Sequence, residues 1–137
     1  MKKTGLMLLM LLLCAGANAS EKITVYQDPD CGCCHGWAEH MREAGFSVTE
    51  VKTQNMSAIK RQFAVPDGKL SCHTAVIEKT GQVIEGHVPA NAVSKLLAHP
   101  EVKGVAAPGM PHNSPGMGAL DGNLVTVDFN GNAFSKD

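Results

Sequence analysis

The sequence predicts an α/β domain, a central mixed β-sheet flanked by helices, with a loop and hairpin added at the C-terminal end. Three observations carry this reading. Strand-like and helix-like segments alternate through the first half, two more strand-like runs follow around a glycine turn, and a third helical stripe begins at a proline.

Each element has its own signal. Ile23-Thr24-Val25-Tyr26 is β-branched and aromatic and runs into the turn-forming Asp28-Pro29-Asp30, so it reads as a first strand that ends at a group of cysteines. From His35 to Ala44, the residues Trp37, Met41 and Ala44 recur at helical spacing, and Gly45 supplies a C-terminal stop. Phe46 and Val48 alternate with Ser47 and Thr49 as a second strand. Met56, Ile59 and Phe63 then mark a second helix, closed by Pro66-Asp67-Gly68. Thr74 to Ile77 and Gln82 to Glu85 flank Lys79-Thr80-Gly81, which reads as a hairpin with a short loop. Pro89 suits the first turn of a helix, where its missing N–H costs nothing, and Val93, Leu96 and Leu97 form the apolar stripe before Pro100 ends it.

The resulting order over about residues 22–100, β-α-β-α-β-β-α, is that of a thioredoxin-like core. Residues 101–137 extend it. Ala107 to Gly118 holds three prolines and three glycines and reads as a long loop carrying Met110, His112 and Met117. Leu124 to Phe129 resumes a strand, and Asn130-Gly131 is a favoured hairpin turn into Asn132-Ala133-Phe134.

The N-terminus bounds the compartment. Lys2 and Lys3 precede an apolar run from Gly5 to Leu13, and Ala17-Asn18-Ala19 follows just before Glu21, so residues 1–19 are expected to be a secretory signal peptide removed together with Cys14. The run is well short of the ~20 apolar residues that cross a bilayer. Residues 20–137 are then one exported domain, of a size for a single modest core. Twelve Lys and Arg stand against thirteen Asp and Glu, a balance that loss of the leader makes more acidic, so neither nucleic acid nor an anionic membrane is an expected partner. The expected location is the periplasm, where thiols pair unless something occupies them.

Cys31-Gly32-Cys33-Cys34, between a strand and a helix, is the strongest chemical signal. Cys31 and Cys34 alone make the C-x-x-C of a redox dithiol, and a helix N-terminus beside them would stabilise a thiolate. Cys33 disturbs that reading, because a third thiol offers competing disulfides, whereas three sulfurs within four residues suit a bridged metal site. Two ordinary disulfides among Cys31, Cys33, Cys34 and Cys72 are the alternative. In a thioredoxin-like fold the segment before the third strand lies against the cysteine loop and carries a proline. Here Cys72-His73 stands in that place, so Cys72 is expected to face the other three sulfurs.

Further donors surround this set. His73 and His87 are candidate ligands, and His35 a candidate outer ligand. Met110, Met117 and His112 sit in a loop with little core to fill, and thioethers beside thiolates favour Cu(I) over Zn(II). Met41 and Met56 lie on helical apolar stripes and read as core. His40 reads as a solvated helix position, and His99 suits a helix C-terminus.

The blocks Cys31-Gly32-Cys33-Cys34, Ser71-Cys72-His73-Thr74-Ala75, Glu85-Gly86-His87-Val88-Pro89-Ala90 and Pro108-Gly109-Met110-Pro111 with Ser114-Pro115-Gly116-Met117 resemble the CopG-type periplasmic copper-resistance proteins. The resemblance covers nearly the whole chain after the leader. It implies a thioredoxin-like fold, export, and a cysteine-bridged cluster of several copper ions, with a role in handling copper or changing its oxidation state. It carries cluster ligation onto Cys31, Cys33, Cys34 and Cys72 and a supporting role onto Met110 and Met117. The chain departs from that pattern at His112-Asn113 and at Gly118, within the methionine loop.

Three functions follow from these residues. The first is a copper-binding resistance protein holding several ions, chiefly Cu(I), with other periplasmic copper-handling proteins as partners. The second is a thiol–disulfide oxidoreductase using Cys31 and Cys34. The third is a zinc-stabilised module on the same four cysteines, although such sites usually come as two separated pairs, and this chain has three cysteines plus one. No acid–base pair or substrate pocket is legible, so no catalytic residue is assigned.

Overall fold

The computed structural model describes residues 19–137, so the expected signal peptide lies, but for Ala19, outside the described residues. Strands β1 (Lys22–Gln27), β2 (Ser47–Lys52), β3 (Thr74–Ile77), β4 (Val83–Glu85), β5 (Gly104–Ala106), β6 (Val125–Asp128) and β7 (Ala133–Lys136) form a single mixed sheet in the order β2-β1-β3-β4-β5-β6-β7. Helices α1 (Gly32–Glu43), α2 (Met56–Gln62) and α3 (Ala90–Leu97) connect its first five strands, with one 3-10 turn at Asp67–Lys69. β1 runs parallel to β2 and antiparallel to β3, β3 and β4 form the expected hairpin, and β5 lies parallel to β4.

Local chemistry explains most of these elements. In β1 the alternation buries Ile23 and Val25, which pack with Trp37 and Met41 of α1, Ala75 and Ile77 of β3, and Val93 and Leu96 of α3. Burying a side chain the size of Ile23 or Met41 contributes about 1.5–3 kcal/mol. The Trp37 ring is fully buried, and its Nε1–H donates to the Val88 carbonyl at 2.8 Å, so its polar atom enters the core with a partner. β2 is the edge strand and is exposed on alternate residues.

Three expectations shift. α1 begins at Gly32, one turn before His35, so Cys33 and Cys34 lie inside the helix. β5 went unread, because Gly104-Val105-Ala106 is short and buried throughout and shows no alternation. His40 is not merely solvated: its Nε2 accepts the Ala90 N–H at 3.0 Å, so a side chain of α1 caps the first residue of α3. At the other end of α3, the buried Gln82 Nε2 donates toward the Leu96, His99 and Val102 carbonyls, satisfying groups that the helix end leaves without partners.

The terminal hairpin β6–β7 extends the sheet through β5, which returns the proline- and glycine-rich loop to the body of the domain. No helix of the described residues is long and apolar enough to cross a membrane.

Candidate metal centre

Two chain segments converge at one end of the sheet. After β1 the Asp28 carboxylate accepts the Asp30 N–H at 3.0 Å, and its carbonyl accepts the Cys31 N–H at 3.1 Å, so the chain turns sharply into α1 with Cys31 at the N-cap. Cys33 and Cys34 therefore occupy the first helical turn, where free N–H groups and the helix dipole favour negative sulfur. The second segment, Leu70 to His73, leads into β3. It is pinned from both sides: the Ser71 N–H donates to the Glu85 carboxylate at 2.9 Å, and the Gly109 N–H donates to the Leu70 carbonyl at 3.1 Å.

Sequence reasoning missed what holds the second segment. Glu85 is fully buried in β4, and Lys60 from α2 reaches it as an ion pair while also donating to Thr74 Oγ1 at 3.1 Å. Thr74 Oγ1 in turn donates to Glu85 Oε2 at 2.6 Å. A glutamate inside a strand beside a lysine on a half-buried helix was the available signal. It could not be paired before the topology was known.

The four sulfurs meet. Those of Cys31, Cys33, Cys34 and Cys72 all lie within 4.8 Å of one another. Cys34 Sγ is 3.5 Å from Cys72 Sγ, and Cys31 Sγ is 3.5 Å from Cys33 Sγ. A metal–thiolate bond is about 2.3 Å for zinc, so a span near twice that length is one over which sulfurs can share ions. The donors thus suit soft cations.

Only two of these four sulfurs are free thiols. Cys31 and Cys34 form a disulfide, while Cys33 and Cys72 are free. The reason is helical: the N-cap and the residue three positions on face the same side of the first turn, whereas Cys33 is rotated away from that side. Cys72 is approached by Cys34 but comes from a different segment. Full sulfur ligation therefore requires the reduced state of the Cys31–Cys34 pair.

A second group adjoins the first. Cys72, His73 and His87 also present donor atoms within 4.8 Å of one another. Both imidazoles are fully buried. His87 Nδ1 donates to the Pro115 carbonyl at 2.5 Å, which leaves Nε2 with its lone pair facing Cys72 Sγ at 2.9 Å. Burial, and then the charges of His87 and Lys60, hold His73 well below the ordinary imidazole range, and burial lowers His87 against the opposing Pro115 carbonyl. Burial, and then the neighbouring Cys33, push the Cys72 thiol up to about 12. These shifts all favour the uncharged forms, neutral rings and a protonated thiol.

The methionine loop lies against both segments. A Cβ placed on Gly116 would stand 2.5 Å from the Cys33 carbonyl and 2.8 Å from the Trp37 nitrogen, and its φ of +88° suits glycine, so the loop backbone packs directly on the start of α1. Gly109, through Ser71 Oγ, is tied beside Cys72. Met117 and Met110 each follow one of these contact points; Met117 is half-buried and Met110 exposed. His112 is exposed and belongs to neither donor group. His35 turns away to the Glu50 carboxylate at 3.0 Å, and His99 pairs with Glu101 at 3.0 Å. Met41 is core, as expected, whereas Met56, read as core as well, is only half-buried, because α2 buries none of its residues and lies outside the core cluster.

Residues 70–117, which contain Cys72, His73, His87 and the methionine loop, match a family described as a protein of unknown function, DUF411. No curated protein matches the chain. Two solved structures, forms 1 and 2 of a copper resistance protein CopG, are each 38% identical to the chain and cover 87% of it. The alignments span 98% and 99% of those chains, with TM-scores of 0.75 and 0.76. At that identity over nearly the full length of both partners, the chain belongs to the family of CopG copper resistance proteins.

Proposed function

We propose that this chain is an exported, periplasmic copper-binding protein of copper resistance, which holds several Cu(I) ions in a thiolate cluster made by Cys31, Cys33, Cys34 and Cys72. One observation carries the reading: four sulfurs from two distant stretches of chain lie within 4.8 Å of one another. Thiolates are soft and bridge readily, which suits Cu(I). Met110 and Met117 are supporting thioether donors from the loop packed on α1, and His73 and His87 are imidazole donors at its inner side. His112 is the outermost candidate, for an ion passing through the loop. The resemblance to the CopG family supports copper as the cargo, and a cluster Cu(I) that gives one electron to an external one-electron acceptor would become Cu(II), the reverse needing a one-electron donor. Export through residues 1–19 is part of the same reading.

The fold behind the site is thioredoxin-like. The order β2-β1-β3-β4, with β1 and β2 parallel and β3 antiparallel to both neighbours, supports this. Residues 20–137 act as one domain, with the methionine loop and hairpin of residues 101–137 appended to the core.

Loading the cluster requires opening the Cys31–Cys34 bond. A dithiol reductant supplies two electrons and two protons, becoming a disulfide while Cys31 and Cys34 become thiols. Titration of the reduced protein with Cu(I) against a competing chelator tests the proposal. Several equivalents per chain are expected, and saturation below one would remove the cluster.

The disulfide favours a second reading, a thiol–disulfide oxidoreductase acting through Cys31 and Cys34. Against it stands Cys72-His73 before β3, where that activity would need a proline shelf for a peptide; the nearest upstream proline is Pro66. Catalysed reduction of a protein disulfide by the metal-free protein, lost in Cys34→Ser and kept in Cys72→Ser, would favour this reading.

A further inference from the structure

We infer that, with Cys31 and Cys34 joined, the protein holds a single transition-metal ion of the borderline class, Cu(II), Co(II) or Zn(II), between Cys72, His73 and His87. This rests on reading the chain as a metal-binding protein, and it adds a second occupancy with a different metal class to the same end of the sheet.

The geometry that supports it is independent of the cysteine motif. None of the three residues takes part in the disulfide, and their donor atoms already lie within 4.8 Å of one another. The Pro115 carbonyl fixes the His87 tautomer, as an outer partner does for a ligating histidine, so that Nε2 is aimed at the Cys72 sulfur as an acceptor. The proton in that 2.9 Å contact is therefore the thiol's own. A cation would take the place of that proton, with the sulfur and ring moving apart by a fraction of an ångström to admit it. His73 adds an observation of its own: it is fully buried, its Nδ1 lies 3.6 Å from Cys72 Sγ, and its Nε2 has no hydrogen-bond partner among the described residues. Ligation through Nδ1 would make this buried ring the third donor beside Cys72 and His87.

Donor chemistry separates the two occupancies. Four sulfurs select soft Cu(I), whereas one thiolate with two neutral imidazoles is a set used by Cu(II) and zinc. Cys72 belongs to both groups, so the state of the Cys31–Cys34 pair decides which arrangement is complete. The joined pair leaves the nitrogen-rich triad, and the opened pair adds two sulfurs and favours the cluster.

Co(II) is the probe, because its thiolate charge-transfer absorption reports sulfur ligation without oxidising Cys33 or Cys72. Oxidised protein, checked to retain the Cys31–Cys34 bond, is titrated under nitrogen. One equivalent of Co(II) with a thiolate band is expected, and Cys72→Ser and His87→Gln should each weaken binding by about 10–100-fold or more. In the unmutated protein, the Co(II) form should show hyperfine-shifted proton resonances from two imidazoles, a readout that stands even where a histidine variant fails to fold. Absence of binding, or a Co(II) spectrum with no shifted imidazole, overturns the inference. If the reduced protein still takes up several Cu(I) ions in that case, the cluster reading survives. If instead Co(II) binds as expected but Cu(I) saturates below one equivalent, the cluster falls and the triad stands.

Discussion

Cys34 and Cys72 are 38 positions apart in the chain, yet their sulfurs lie 3.5 Å from each other. The contact joins the first turn of α1 to the segment entering β3, so the candidate centre draws on two segments and not on the motif alone.

Cys72→Ser should therefore reduce the Cu(I) stoichiometry of the reduced protein as much as loss of Cys33 does. Competition against a chromophoric chelator measures this. Unchanged stoichiometry would mean that the sulfurs of the motif suffice.

Replacing Met110 and Met117 together by leucine should leave the fold intact, since one side chain is exposed and the other half-buried. Cu(I) affinity should fall, because leucine keeps the bulk and removes the soft donor. Equal affinity in competition would reduce the loop to a cover over the sulfurs.

Lys60→Met should destabilise the protein by about 3–5 kcal/mol, the usual consequence of leaving a buried carboxylate without its partner. Glu85 is fully enclosed and also holds Ser71, next to Cys72. Urea unfolding of the metal-free protein reads the stability. Restoration by the double variant Lys60→Met, Glu85→Gln would identify the stranded charge as the cause.

The His40 cap predicts a pH dependence. Burial, opposed by the nearby Glu43 charge, lowers the His40 pKa from the ordinary 6.5. The unfolded chain then binds the proton more readily than the fold does, so this contribution is complete above 6.5 and is lost as the pH falls below that value through the lowered folded one. Protonation removes the lone pair that accepts the Ala90 N–H. His40→Gln should lose less stability than the unmutated protein between about pH 8 and about pH 5. Equal losses in denaturant midpoint would show that another group carries the effect.

Much of the fold was legible because local patterns were strong. Ile23 and Val25 alternate, Trp37 and Met41 share a helical face, and Pro89 stands where α3 begins. β5 was not legible, since a three-residue strand buried on both faces shows no period. The early start of α1 was hidden as well: Cys31 and Gly32 carry no helix signal, and the Asx turn at Asp28 is what delivers them to it. Of the candidate ligands, the four cysteines, His73 and His87 come together, while His112 stays at the surface.

The linear order of residues by itself determined which donors exist, how the cysteines are spaced, and which segments alternate at the period of a strand or a helix. These properties depend on neighbours in the chain. Only the tertiary structure decided that Cys72 meets Cys34, that Pro115 orients His87, that Lys60 neutralises Glu85, and that Cys31 pairs with Cys34 and not with Cys33. Each is a contact between groups brought within a few ångströms by sheet order and helix phase, and neither quantity is encoded in any short stretch of sequence.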